Sequence, residues 1–149
     1  LGLKKSIQGF YKSKIKTILV NKALSNGEGE IKFYYSPNNA DSSIIKIDNY
    51  EKVEIINTTS LDKLIRDLKI DNKKIKLLKL EAEGAEPEVI NGAKKTLANF
   101  NYIAADLGPE RGFKEECTIK EVSNTLYQNN YKMIDFRYPR ICCLYEKSQ

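Results

Sequence analysis

The segment Lys79-Leu-Glu-Ala-Glu-Gly-Ala-Glu86 brings three carboxylates, Glu81, Glu83 and Glu86, into one short stretch of chain. Like charges held close raise one another's pKa, and a raised pKa suits a carboxylate to act as a general base near neutral pH. A fourth acid, Asp106, ends the run Tyr102-Ile-Ala-Ala-Asp106, and Gly108-Pro-Glu-Arg-Gly112 follows at once with Glu110 and Arg111. Arg111 offers a planar fork of donors for a carboxylate, a phosphate or sugar hydroxyls; a salt bridge within the loop is the other reading of the same pair. The acids have a plain reading too, since Glu83 and Glu86 favour the positive end of a helix that starts beside them. Gly84 permits a tight turn and a close approach of a ligand to the main chain.

These residues need elements to hold them. Ile75-Lys-Leu-Leu-Lys-Leu80 is nearly continuous in apolar residues, which predicts a strand covered on both sides. Glu86-Pro87 opens a helix whose buried stripe is Val89, Ile90, Ala93 and Leu97. Gly92 inside it implies that something packs close against that position. Residues 102–107 read as a strand, and Thr118-Ile-Lys-Glu121 as a capping box for a helix continuing through Ile119, Val122 and Leu126. Residues 131–136 and 141–145 are strands whose short link, Arg137-Tyr-Pro-Arg140, allows only an antiparallel hairpin.

Upstream, Leu3, Ile7, Phe10 and Tyr11 recur at helical spacing, and residues 17–20 form a short apolar strand. Ser25-Asn-Gly-Glu-Gly29 is a turn, residues 30–35 a strand, residues 36–43 a polar loop, and residues 53–56 another strand. Ser60 or Thr59 caps a helix with Leu61, Leu64, Ile65 and Leu68 on one face. Strands alternating with helices from Ile75 onward predict an α/β sheet with parallel pairing and one reversed strand. Glu81, Glu83 and Asp106 then face one crevice, because such sheets bind ligands outside the carboxyl ends of their strands.

Composition narrows the chemistry. The 149 residues are 41% hydrophobic and 30% charged, the balance of one globular domain spanning 1–149, with no apolar run of membrane-spanning length. There is no histidine, which excludes Ser-His-Asp and Cys-His nucleophile systems and imidazole-bound zinc. The net charge of +5 comes from lysines spread along the chain, a solvated surface rather than a nucleic-acid stripe. Three cysteines, Cys117, Cys142 and Cys143, lack redox or zinc spacing; in a strand the adjacent pair would point to opposite faces. With no secretory signal visible, they predict a reducing cytoplasm. A magnesium site built from the carboxylates is disfavoured, because one turn of motif does not supply an octahedral set.

Together Ser60-Leu-Asp-Lys-Leu-Ile65, Lys79-Leu-Glu-Ala-Glu-Gly-Ala-Glu86 and Glu88-Val-Ile-Asn-Gly-Ala93 resemble the FkbM family of methyltransferases, as does Asn21-Lys-Ala-Leu-Ser25 followed by Gly29 and a strand. The resemblance implies a class I methyltransferase-like (Rossmann-like) sheet, mostly parallel with a terminal antiparallel hairpin. It implies methyl transfer from S-adenosylmethionine to a hydroxyl of a sugar or natural-product-like acceptor. Glu81 and Glu83 would lie beside the methyl-transfer site with Asp106 near the acceptor, Asn21, Ala23 and Leu24 would contact the cofactor, and Glu110 and Arg111 the acceptor. Two departures stand out. Glu81 occupies a position where the family usually has Asp. The family's first strand, glycine-rich loop and second-strand acid have no counterpart, and Gly27-Glu-Gly29 lies in a hairpin-like turn. The chain is thus expected to be roughly the C-terminal two-thirds of the domain, lacking its first βαβ part and unable alone to bind the cofactor well. The competing expectations are a non-catalytic α/β module that has lost the cofactor site, and a different nucleotide- or sugar-binding enzyme on the same sheet.

Overall fold

The computed structural model describes residues 17–36, 42–71, 73 and 75–148; the helix expected over the first dozen residues lies outside them. Strands β1 (Ala23–Leu24), β2 (Gly29–Tyr35) and β3 (Lys52–Thr59) form a three-stranded sheet in the order β1-β3-β2. β1 runs parallel to β3, Ala23 opposite Thr58, while β2 is antiparallel to it, Ile31 opposite Ile56. The turn at 25–29 therefore joins strands that flank β3, not the two arms of a hairpin. The strand expected at residues 17–20 is not formed, and Ile18 and Leu19 are about half exposed. The end of β3 offers its ladder to Ala23 and Leu24 instead, and among the described residues nothing pairs with 17–20.

Helix α1 (Leu61–Asp67) begins as its cap predicts, with the Ser60 hydroxyl accepting from the Lys63 amide. It buries Leu61 and Ile65 in the core. Then come β4 (Leu77–Leu80), α2 (Glu86–Asn91), β5 (Tyr102–Asp106), β6 (Pro109–Arg111), β7 (Glu116–Cys117), α3 (Ile119–Gln128), β8 (Tyr131–Arg137) and β9 (Cys142–Lys147). The larger sheet has the order β4-β5-β9-β8, with β4 and β5 parallel and β9 antiparallel to both its neighbours, so the terminal hairpin forms. β6 and β7 make a small separate ladder that the sequence did not signal. Among the described residues the strands thus fall into separate sheets rather than one mostly parallel sheet. Parallel pairs are confined to β1 with β3 and β4 with β5, and among the described residues no strand joins the outer edges of β1 and β4.

Register sorts the larger sheet into two faces. Leu80, Ala105 and Cys143 align on one face with Ile103 and Tyr145, and pack into the cluster that includes Val89, Ile90, Val122 and Leu126. Each large side chain in that core stabilises the fold by roughly 1.5–3 kcal/mol. Leu77, Lys79, Tyr102 and Ala104 lie on the other face, where Leu77 is 53% exposed. The expectation that β4 is covered on both sides does not hold among the described residues, where β4 is an outer strand with one open face. Cys143 is buried and Cys142 only partly so, as alternation requires.

α2 is shorter than its apolar stripe, ending at Asn91, although Val89, Ile90, Ala93 and Leu97 are all buried. Gly92 marks the stop. A Cβ there would sit 2.1 Å from the Ser25 carbonyl oxygen, the close neighbour that the glycine implied. Tight turns and a 3-10 segment, Leu97–Asn99, carry the chain onward.

Candidate functional site

The turn after β4 is built around Glu86, which is 1% exposed. Its Oε1 accepts the amides of Ala82 (2.9 Å) and Gly84 (3.2 Å), and its Oε2 accepts the Thr118 hydroxyl (2.9 Å). A buried carboxylate needs such donors. Thr118 consequently makes no side-chain cap on α3, and the capping box with Glu121 is not formed; the hydroxyl has been drawn to the stronger acceptor.

That arrangement bends the main chain at Glu83 (φ 49°) and Gly84 (φ 87°) into the left-handed region. The Glu83 carbonyl accepts the hydroxyl of Ser43, itself 2% exposed, at 2.7 Å. Gly84 gives room not to a ligand but to β6, since a Cβ would lie 2.7 Å from the Arg111 Cα and 2.8 Å from the Glu110 carbonyl oxygen. Arg111 clasps both oxygens of Glu88 (2.9 and 2.7 Å) and also donates to the Gly84 carbonyl. Its fork is therefore engaged by the fold itself.

With β6 docked there, the Glu110 carboxyl comes against Glu83 and hydrogen-bonds it. Burial first, then the charges of Glu83, Asp106 and Glu86, push the Glu110 carboxyl up to about 7. Asp106, 6% exposed at the end of β5, pairs with Arg140, which also reaches Glu81 at 3.4 Å. Glu81 pairs with Lys79 as well. Burial, followed by the Asp106 charge, raises the Cys142 thiol above its ordinary value.

The acids open onto two adjoining cavities that share Lys79, Leu80 and Glu81. One, of about 410 Å³, brings Ala23 and Leu24 together with Glu81 and Glu83, and adds Phe33, Ser43 and Ile44. The other, of about 360 Å³, lies on the open face of the sheet between Asp106, Arg140 and Cys142. Glu110 lines a third, of about 220 Å³, with Asp48, Asn49 and Phe113. Of the residues singled out in the sequence, Ala23, Leu24, Glu81 and Glu83 thus meet in one cavity and Asp106 stands in the next. Asn21 is exposed and lines none of the three, and Arg111 turns to Glu88.

Sequence reasoning missed Arg140 and Ser43. Arg140 was visible as part of the hairpin link, but its place follows only from β9 pairing with β5, which sets Cys142 opposite Asp106. Ser43 carried no signal beyond membership of a polar loop. Among the described residues, no three acids or cysteines converge to hold a metal ion, and no helix is long and apolar enough to cross a membrane. The sequence profile of the Methyltransferase FkbM domain matches residues 10–133. No curated protein and no solved structure matches the chain.

Proposed function

The chain belongs to the FkbM methyltransferase family, and from that membership we propose that it carries part of an S-adenosylmethionine-dependent O-methyltransferase acting on a hydroxyl of a sugar or natural-product-like acceptor. The observation that carries this reading is the cavity of about 410 Å³ that Ala23 and Leu24 line together with Glu81 and Glu83. Its chemistry suits the cofactor in two respects. Leu24, Phe33 and Ile44 offer apolar surface to a heteroaromatic ring, and the two carboxylates favour a cationic sulfur. When bound, the cofactor supplies an electrophilic methyl group.

The chain's own residues do the rest. Glu83 and Glu110, hydrogen-bonded to one another, hold a proton that exchanges near neutral pH, so the pair is suited to take the proton of an acceptor hydroxyl. Asp106, fixed by Arg140, orients the acceptor from the neighbouring strand end. The Glu83–Gly84 turn, clamped by Glu86 and Arg111, keeps these groups in place.

The outer edges of β1 and β4 both border the cavity, and among the described residues neither has a further strand. This supports a class I sheet completed by strands from beyond the described residues, with the methionine and ribose parts of the cofactor held there. Calorimetric titration of S-adenosylmethionine tests the reading. The 149-residue chain should show no stoichiometric micromolar binding, whereas a chain extended through the upstream coding sequence should bind it. In that longer chain, Glu83→Gln should slow methyl transfer about 100-fold at saturating cofactor. Stoichiometric micromolar binding by the short chain would overturn the need for further strands, and an unchanged rate in Glu83→Gln would remove the carboxylate from the mechanism.

A further inference from the structure

A groove of about 770 Å³ runs along α1, separate from the acidic strand ends. Its charge is opposite in sign to that of the cavity holding Glu81 and Glu83. Four cations face it, Lys63, Arg66, Lys69 and Lys95, against two carboxylates, Glu28 and Asp62, an excess of two positive charges.

The two carboxylates, already counted in that excess, have partners of their own. Asp62 is taken up by the chain itself: it accepts the Lys95 amide (3.0 and 3.2 Å), the Thr96 amide (2.9 Å) and the Thr96 hydroxyl (2.7 Å). Among the described residues Glu28, 60% exposed at its side chain, reaches only Lys63, at 3.5 Å. Just outside the lining, Asp67 takes Lys63 at 2.6 Å and is 3.7 Å from Arg66, too long for a hydrogen bond. Among the described residues Lys69 and Lys95 form no ion pair. Beneath this rim lie Ile65, 5% exposed, and Ile70, 39% exposed. A solvated lysine face would not need a concave wall with an apolar floor.

We infer that this groove binds a small molecule carrying a phosphate group on an apolar body, with Arg66, Lys69 and Lys95 on the phosphate and Ile65 and Ile70 under the body. A cationic ligand is repelled from it, so the groove and the acidic cavity sort ligands by charge. A phosphate dianion against guanidinium and ammonium groups gives charge-assisted hydrogen bonds, and binding should weaken as salt rises.

Phenyl phosphate titrated into the ¹⁵N-labelled 149-residue chain at low salt provides the test. The expected result is saturable shift changes confined to residues 62–70 and 95–96. The double variant Lys69→Gln/Lys95→Gln, at two exposed positions, should bind about tenfold more weakly, and Lys132→Gln, remote from the groove, should bind as before. Inorganic phosphate should bind several-fold more weakly than phenyl phosphate because it has nothing to place on Ile65 and Ile70. Shifts spread over lysines across the surface, or equal affinity in the double variant, would overturn the site. Equal affinity for the two phosphates would overturn the ligand class. Neither readout depends on methyl transfer, so failure here leaves the reading of the strand ends untouched.

Discussion

Glu86 and Glu110 both stand against the Glu83–Gly84 turn, one from inside and one from outside, and their surroundings differ in kind. Glu86 is enclosed and meets three donors, two amides and a hydroxyl. Glu110 is partly buried and meets other acids, sharing a hydrogen bond with Glu83. The first environment welcomes a charge and turns it into scaffolding; the second opposes a charge and leaves a proton exchangeable. The residue type alone distinguishes neither outcome. What distinguishes them is whether the neighbouring groups are donors or carboxylates.

The largest test of that contrast is Glu86→Ala. It strands three donors at once, two of them buried, and should cost about 3 kcal/mol, read as a lower midpoint in urea unfolding. If the loss is within 0.5 kcal/mol, a threshold of roughly the size expected for ordinary surface changes, Glu86 is not the centre of the turn. Gly84→Ala comes next, at about 2 kcal/mol, because the left-handed backbone and the Arg111 main chain 2.7 Å away both oppose a methyl group. Besides lowering stability, it should push β6 off the turn, visible as loss of a distinct side-chain NMR signal for Arg111.

Thr118→Val removes one of the Glu86 donors and should cost about 1.5 kcal/mol, while Glu121→Ala should cost less than about 0.5 kcal/mol. The reverse order would restore the capping box that the sequence suggested. The smallest effect belongs to Glu110→Gln. Its carboxyl titrates near 7 when folded against an ordinary 4.5, so the folded chain binds the extra proton and stability falls as pH climbs from 4.5 toward 7. The glutamine variant should lose that slope. It should match the parent at pH 4 and melt roughly 1–2 °C higher at pH 8; a lower melting temperature at pH 8 would mean that the charged form is favoured by the fold after all.

Much of this molecule was legible from local rules. The Ser60 cap, the hairpin of β8 and β9, the apolar stripe of α2 and the crowding at Gly92 each follow from a few neighbouring residues. What escaped was decided by partners distant in sequence. Thr118 reads as a helix cap until Glu86 competes for its hydroxyl, and Arg111 reads as a free fork or as a loop salt bridge with Glu110 until Glu88 is placed beside it. Residues 75–80 read as covered on both sides because periodicity reports apolar content and says nothing of whether a neighbouring strand is there. At the site, Ala23, Leu24, Glu81 and Glu83 were brought together by a family resemblance, whereas Arg140 needed the strand order β5-β9-β8 before it could be placed.

The outer edge of β4 has a consequence for how the chain behaves in a tube. Among the described residues it pairs with no further strand, so it presents main-chain donors and acceptors beside Leu77, 53% exposed, and such an edge can template pairing between copies. Lys76 and Lys79, both exposed, flank that leucine and make two approaching edges repel. The guard is electrostatic and so depends on ionic strength. In about 1 M salt, where screening acts within roughly 3 Å, concentrated samples should turn turbid sooner than in dilute buffer, and Lys76 and Lys79 are the positions where added negative charge would remove the protection first.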